Sequence, residues 1–282
     1  PRCPTAKNGL VPGVSQVVFK KARIMTGSAF DLLKLQQDTF LESIEYFEQL
    51  ESTNTAASRL INSTPALDNV LILTAEQTAG RGQGNHKWYA GQGALTFSLI
   101  RHFSNLRGNE LATLGLATGI GVAEALQKLT PAAIQLKWPN DIFVEGKKLG
   151  GVLIETTQAA PQTPVIGIGL NINNSIQDHL PENVAASSIS LIDLIGKTSN
   201  LTELLIGLLS RLNNFYKQLN AKTADIPANW NVRCMFNGSK VDFVQGEMRY
   251  QATCHGVQAD GALLLKIDGE IRPFYSGSIA LP

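Results

Sequence analysis

From Ile44 to about Thr157, short apolar runs alternate with stretches of helical periodicity, which predicts an α/β (α+β) domain rather than separate all-α and all-β halves. Val70-Leu71-Ile72-Leu73 reads as an apolar strand. Leu95, Phe97 and Leu99 alternate with Thr96, Ser98 and Ile100, so the strand there is expected to bury one face better than the other. Leu111, Leu114, Thr118, Val122, Ala125 and Leu129 recur every three or four residues and predict a helix with an apolar stripe. Ile134 to Lys137, Gly150 to Thr156 and Val165 to Ile172 read as strands, with a turn at Glu145-Gly146-Lys147-Lys148. Leu204, Leu208, Leu212, Phe215 and Leu219 mark an amphipathic helix that Asn200 can cap.

After Pro227 the texture changes to short β segments at 239–244, 249–257, 262–266, 271–275 and 278–281, punctuated by glycine, with Asp260-Gly261 and Asp268-Gly269 as turn dipeptides. They predict a small β-barrel. Residues 1–38 mix Pro, Gly and Ser with a basic cluster, Lys20-Lys21-Ala22-Arg23, and read as a poorly ordered leader whose cluster is a solvated turn. The expected division is therefore 1–38 leader, 39–228 main domain and 229–282 small β domain. No fixed repeat period is present, which excludes a solenoid or propeller.

Composition narrows the partners. The 282 residues are 44% hydrophobic and 17% charged, enough to bury a sizeable core, and 24 basic against 23 acidic residues give a net charge of +1. That balance supplies no global attraction to nucleic acid or an anionic membrane. No apolar run is long enough to span a bilayer. The 3 cysteines, Cys3, Cys234 and Cys254, are too scattered for a disulfide framework or a CxxC metal site, so a reducing cytoplasm is expected and no protein-borne metal site.

Four segments carry candidate chemistry. In Ala79-Gly80-Arg81-Gly82-Gln83-Gly84-Asn85-His86-Lys87-Trp88, closely spaced glycines let backbone N–H groups approach an anion, and Arg81 adds a planar donor fork. Glycine spacing alone leaves an anion-binding loop and a plain flexible loop equally open. The segment is not a dinucleotide fingerprint, because Asn85 stands where glycine or alanine is required, and the chain has no GxxxxGK[ST] loop. In Lys137-Trp138-Pro139-Asn140-Asp141 the proline ends a strand and projects an amide and a carboxylate, suited to a metal, a nucleotide or a proton, or simply to a turn. Lys148, beside Gly150 and Gly151, can meet an anion as a point charge or stay solvated. In Gly167-Ile168-Gly169-Leu170-Asn171 the strand glycines signal a close approach by ligand or backbone. The 4 histidines form no triad or metal set.

In this order, the four segments resemble the biotin–protein ligase family, whose catalytic domain carries a GRGRxGRxW-like loop, then KWPND, KLxGIL and a GIGxN strand. The likeness runs from about Ile44 to Leu281. It implies a mixed β-sheet with packed helices, similar to class II synthetase-like ligase domains, and a small SH3-like C-terminal barrel. It also implies that Ser52, Thr53 and Gln77 contact the bicyclic ring of biotin, and that Arg81 lies near the biotin carboxylate and the ATP phosphates. Lys148 would sit between carboxylate and α-phosphate, Lys137 and Asn140 on the polyphosphate side, and Asn171 at adenine. Trp88 would cover the site, and Gly80, Gly82 and Gly150 would let backbone approach the ligands. Mg²⁺ would accompany ATP, and the acceptor would be a lysine of a biotin carboxyl carrier protein, the biotinylated subunit of acetyl-CoA carboxylase, with Asp141 orienting or deprotonating that amine.

Two departures accompany the resemblance. Gln83 stands where the family loop usually has arginine, implying weaker retention of the adenylate, and Ser278 replaces the usual glutamate of the C-terminal segment. These two residues keep a non-transferring biotin or adenylate sensor open as an alternative, beside a lipoate–protein ligase or acyltransferase on the related fold. The 38 residues before the catalytic region are too few and too aperiodic for the helix-turn-helix of the repressor members, so no direct DNA binding is expected. Relatives differ in oligomeric state, and pairing of the main sheet with a second copy as a homodimer is carried forward as an expectation.

Overall fold

The computed structural model describes residues 29–84, 86–105 and 110–281; the basic cluster at 20–23 and Cys3 lie outside them. Helix α1 (Leu32–Asp38) is followed by strand β1 (Ser43–Leu50), helix α2 (Thr53–Ser63), strands β2 (Val70–Gln77) and β3 (Leu95–Ile100), and the long helix α3 (Glu110–Leu126). A meander of β4 (Ile134–Lys137), β5 (Asp141–Val144), β6 (Lys147–Thr157) and β7 (Ala160–Leu170) comes next. Three short helices, α4 (Ile176–His179), α5 (Glu182–Ala185) and α6 (Leu191–Ile195), lead to α7 (Leu201–Asn220) and α8 (Ile226–Asn231). Strands β8 (Lys240–Gln245), β9 (Met248–Val257), β10 (Leu263–Ile267), β11 (Glu270–Phe274) and β12 (Ser278–Ile279) finish the chain.

The first seven strands form one mixed sheet in the order β1-β2-β3-β7-β6-β5-β4. Only β1 and β2 are parallel, and the crossover that parallel pairing demands is α2. The last five strands form a second, antiparallel sheet in the order β11-β10-β9-β8-β12. Asp268 and Gly269 turn with positive φ, as their sequence predicts, and so does Gly261.

The main sheet has two unlike faces. Leu95, Phe97 and Leu99 of β3 join α3 and α7 in the large apolar core. On the opposite face Ile100 packs with Val70, Ile72 and α2, while Ser98 and Thr96 point to the same side. Every residue of β3 is therefore buried, so the expected difference in burial between its faces is absent: its central place leaves neither face to solvent. Helix α3 likewise exceeds its predicted stripe. It is buried almost all round between the sheet, α7 and α8, whereas Leu129 falls beyond its end and is exposed. Asn200 caps α7 as expected, its Oδ1 accepting from the N–H groups of Thr202 and Glu203 at 3.0 and 3.2 Å.

Tryptophan 138 fastens the small sheet to the edge of the large one. Its Nε1 donates to the Gly261 carbonyl at 3.1 Å, and its ring packs against Phe243 with centroids 6.5 Å apart. Leu136 exchanges backbone hydrogen bonds with Arg233 and Met235, which occupy the open side of β4. As a result the turns of β8 and β12 project over one face of the main sheet.

Leu32–Asp38, expected as the end of an aperiodic leader, form a helix instead. Asp31 caps it, and the Asp31 N–H donates to Thr202 Oγ1 of α7 at 2.9 Å. Leu32 and Leu35 enter the main core, a burial that a seven-residue helix is too short to reveal by period. Leu35→Ala should destabilise the chain by about 2–5 kcal/mol in urea denaturation; no change would show that this helix does not dock.

Candidate functional site

On the α2 side of the main sheet, α2 packs against β2, β3, β7 and β6, and beside it lies a cleft of about 620 Å³. The 80–88 loop walls one side, and Val244, Gly246, Gly277 and Ser278 of the small sheet reach the rim. Ser52, Thr53, Gln77, Arg81, Gly82, Trp88, Lys137, Asn140, Asp141 and Lys148, all singled out in the sequence, line this one cleft.

Strand register assembles the charged end. Lys137 is paired across the β4–β5 hairpin with Asp141, so both project from the same face. A bulge in β6 does the rest: Ile142 pairs with Gly150 but Phe143 with Lys148, leaving Leu149 as the extra residue. Were Leu149 paired in a regular ladder instead of bulged, Lys148 would point to the other face, because side chains alternate along a strand. With it, Lys148 Nζ lies 2.5 Å from Asp141 Oδ1. The sequence reading assigned no strand at 141–144, but Asp141 starts one, and the Glu145-Gly146 turn that returns it has positive φ at both positions.

Lys137 is held differently. Its ammonium stands 5.9 Å from the centre of the Phe143 ring and makes no ion pair within contact distance among the described residues. Burial pushes its pKa below the ordinary lysine range; nearby Asp141 raises it, and Lys148 lowers it further.

At the other end the floor is neutral and hydrogen-bonded. Ser52 caps α2, and the N–H and hydroxyl of Thr53 both donate to Gln77 Oε1, at 2.7 and 3.2 Å. Three residues to which the sequence reading gave no role complete it. Ser98 Oγ lies 2.8 Å from Thr53 Oγ1 and 2.6 Å from Asn54 Oδ1, and Asn54 Nδ2 donates to Glu155 Oε2 at 2.7 Å. A polar residue inside the apolar run LTFSLI, and an acid ending GGVLIE, were the available signals. The strand glycines do mark close approaches: a Cβ at Gly167 would strike the Asn54 side chain, and one at Gly169 would strike the Trp88 ring.

Arg81 meets the floor through Glu155, donating from Nη2 at 2.7 Å. Both cleft ion pairs are partly exposed, so opening either costs only about 0–1 kcal/mol. A hydrogen bond to a charged group contributes roughly 1.5–3 kcal/mol, so an incoming anion can take over these cations.

Three expected residues do not line the cleft. Gly80 packs under the backbone of Trp88, and Gly150 packs on Gly169 and Leu170. Asn171 is 2% exposed; its backbone bonds Leu149 and Leu191, and its Oδ1 accepts from Asn174. The strand ends at Leu170, and Asn171 turns inward beneath α6.

Residues 46–173 match the model of the Biotin/lipoate A/B protein ligase family, a stretch that holds Gln77, Arg81, Lys137, Asp141 and Lys148. Over these residues the chain is similar to a biotin/lipoate ligase domain. It is 28% identical over 253 residues to the bifunctional ligase/repressor BirA of Salmonella typhimurium, covering 86% of this chain and 78% of that protein. It is 27% identical over 241 residues to the biotin–[acetyl-CoA-carboxylase] ligase of Mycobacterium tuberculosis, covering 84% and 88%. Among solved structures, a biotin protein ligase from Aquifex aeolicus in complex with biotin and ATP aligns with a TM-score of 0.72 at 26% identity, over 86% of this chain and 99% of that one. The expected fold class, a mixed sheet with packed helices and a separate small β unit, is that of these ligases.

The half-buried Lys137 makes the cleft pH-sensitive. Its charge is disfavoured on folding, so its contribution to stability grows as pH rises from the lowered folded value toward the ordinary lysine range. Anion binding runs the opposite way, since it needs the ammonium. Affinity for inorganic triphosphate, measured by calorimetry, should fall with rising pH below the usual lysine pKa. Lys137→Arg should remove that fall because a guanidinium stays charged; an unchanged alkaline limb would take Lys137 out of the anion site.

Proposed function

We propose that the chain is a biotin–protein ligase, which joins biotin to ATP as biotinyl-5′-adenylate and then transfers the biotinyl group to a lysine of a biotin carboxyl carrier protein. One observation carries this reading: Arg81, Lys137 and Lys148 share a single cleft with Ser52, Thr53 and Gln77 within the stretch similar to a ligase domain. The Mycobacterium tuberculosis relative is a biotin–[acetyl-CoA-carboxylase] ligase, and the solved neighbour holds biotin and ATP.

In the first step a biotin carboxylate oxygen attacks the α-phosphorus and the bond to pyrophosphate breaks. Two anions must meet, so the chain's contribution is positioning and charge stabilisation by Arg81, Lys137 and Lys148. Ser52, Thr53 and Gln77 supply donors and acceptors for the ureido end, and Trp88 covers the ring. Among the described residues no three His, Cys, Asp or Glu side chains meet to hold a metal alone. Mg²⁺ would arrive with ATP, held through phosphates and waters with Asn140 as an oxygen donor on the cleft wall. The ion supplies neutralisation of phosphate charge.

In the second step the acceptor amine attacks the anhydride carbonyl and AMP leaves. A lysine must first lose a proton, which at pH 7 costs roughly 4–5 kcal/mol. When Lys148 turns to the phosphate, Asp141 is released to take or orient that proton. Gln83 lines the cleft without a charge, which fits a weaker hold on the intermediate. The reading places the chain in the cytoplasm, and the outer edge of the main sheet is where a second copy would pair. Among the described residues no helix is long and apolar enough to cross a membrane.

Incubation with ATP, Mg²⁺ and a carrier domain should add biotin, and not lipoate, to the carrier. Lipoate transfer, or biotin binding that leaves the carrier unmodified, contradicts the reading. Asp141→Asn should retain biotin-dependent pyrophosphate exchange yet slow transfer by roughly 100-fold or more; transfer at the wild-type rate removes Asp141 from the second step.

A further inference from the structure

Glu155 stands outside the cleft wall, yet it joins both of the cleft's ends. Its backbone is fixed opposite Val165 in the main sheet. Its Oε2 accepts simultaneously from Arg81 Nη2 and Asn54 Nδ2, each at 2.7 Å. Asn54 is buried and bonded in turn to Ser98 Oγ at 2.6 Å and to the Leu153 carbonyl at 3.3 Å. The carboxylate is thus immobilised from behind by a rigid amide.

Arg81 has the opposite character. It sits on a loop with glycine at 80, 82 and 84, its side chain is 46% exposed, and among the described residues its guanidinium hydrogen-bonds to Glu155. A free arginine side chain samples rotamers worth about 2 kcal/mol of entropy, and a glycine-rich backbone adds more. Binding through Nη2 alone leaves Nε and Nη1 of the fork for another anion.

Resting on the ligase reading, we infer that Glu155 is a positioning residue for adenylation: it holds the Arg81 fork in place and ties it, through Asn54, to the floor that contains Thr53 and Gln77. Glu155 does not line the cleft, so its effect passes through Arg81 and is assigned to the first half-reaction, in which Arg81 has to bring two anions together. An exposed ion pair of this kind adds little to folding, which leaves the variant able to fold. Glu155→Gln keeps an oxygen for Asn54 and removes the charge that holds Arg81.

The test separates the half-reactions. Glu155→Gln should lower biotin-dependent ATP–pyrophosphate exchange roughly 10- to 100-fold, the penalty of a misplaced group. Transfer from supplied saturating biotinyl-5′-adenylate to the carrier should stay at the wild-type rate. In the Arg81→Ala background the same substitution should add no further loss. Unchanged exchange, an equal fall in both half-reactions, or independent losses in the double variant overturns the inference. Wild-type chain with no biotin-dependent exchange overturns the ligase reading, and this inference with it, whereas an active wild type with an indifferent Glu155→Gln overturns the inference alone.

Discussion

Three cations crowd into one cleft, and the chain has to keep them there without an anion to neutralise them. It does so in three ways. Arg81 is paired with Glu155 and Lys148 with Asp141, while Lys137 is partly buried near the Phe143 ring, a burial that lowers its pKa. Each arrangement is cheap to undo. Partly exposed ion pairs contribute about 1 kcal/mol or less, so a carboxylate and a phosphate can displace the internal acids. Under the proposed ligase function, displacement would also free Asp141 for the acceptor amine.

Backbone register explains why these groups converge. Lys137 and Asp141 face one another because a short hairpin pairs them, and Lys148 joins them because Leu149 is an extra residue in the ladder. The two strand glycines clear room for Asn54 and Trp88, which carry the neutral end of the cleft down onto the sheet. Trp138 lies just past Lys137, and its anchor to the small sheet brings Ser278 and its neighbours to the rim. The small sheet is thus part of the cleft's wall.

Much of this was legible in the amino-acid order. The four motif segments come together as the resemblance implied, because each lies at a strand end or a glycine turn where local chemistry and spacing speak directly. The C-terminal strands were readable from their glycine punctuation. What local pattern could not show was context. Alternation in β3 suggests one better-buried face, but its neighbours cover both faces. Helix α1 is too short to display a period, and its docking depends on Thr202, 171 residues away. Asn171 resembles a ligand-facing residue in the motif, whereas the chain turns inward as its strand ends. The Asn54–Ser98–Glu155 floor depends on partners 44 and 101 positions apart, and single polar residues in apolar runs do not reveal whom they meet.

The account stands on ligand charge being read by Arg81 and Lys148 together. Calorimetry with a non-hydrolysable acyl-adenylate analogue of biotin, beside the uncharged alcohol of biotin, tests this most directly. Arg81→Ala and Lys148→Ala should each weaken the analogue roughly 10-fold or more while leaving the alcohol nearly unchanged. Equal losses for both ligands, or an analogue indifferent to both substitutions, would contradict it.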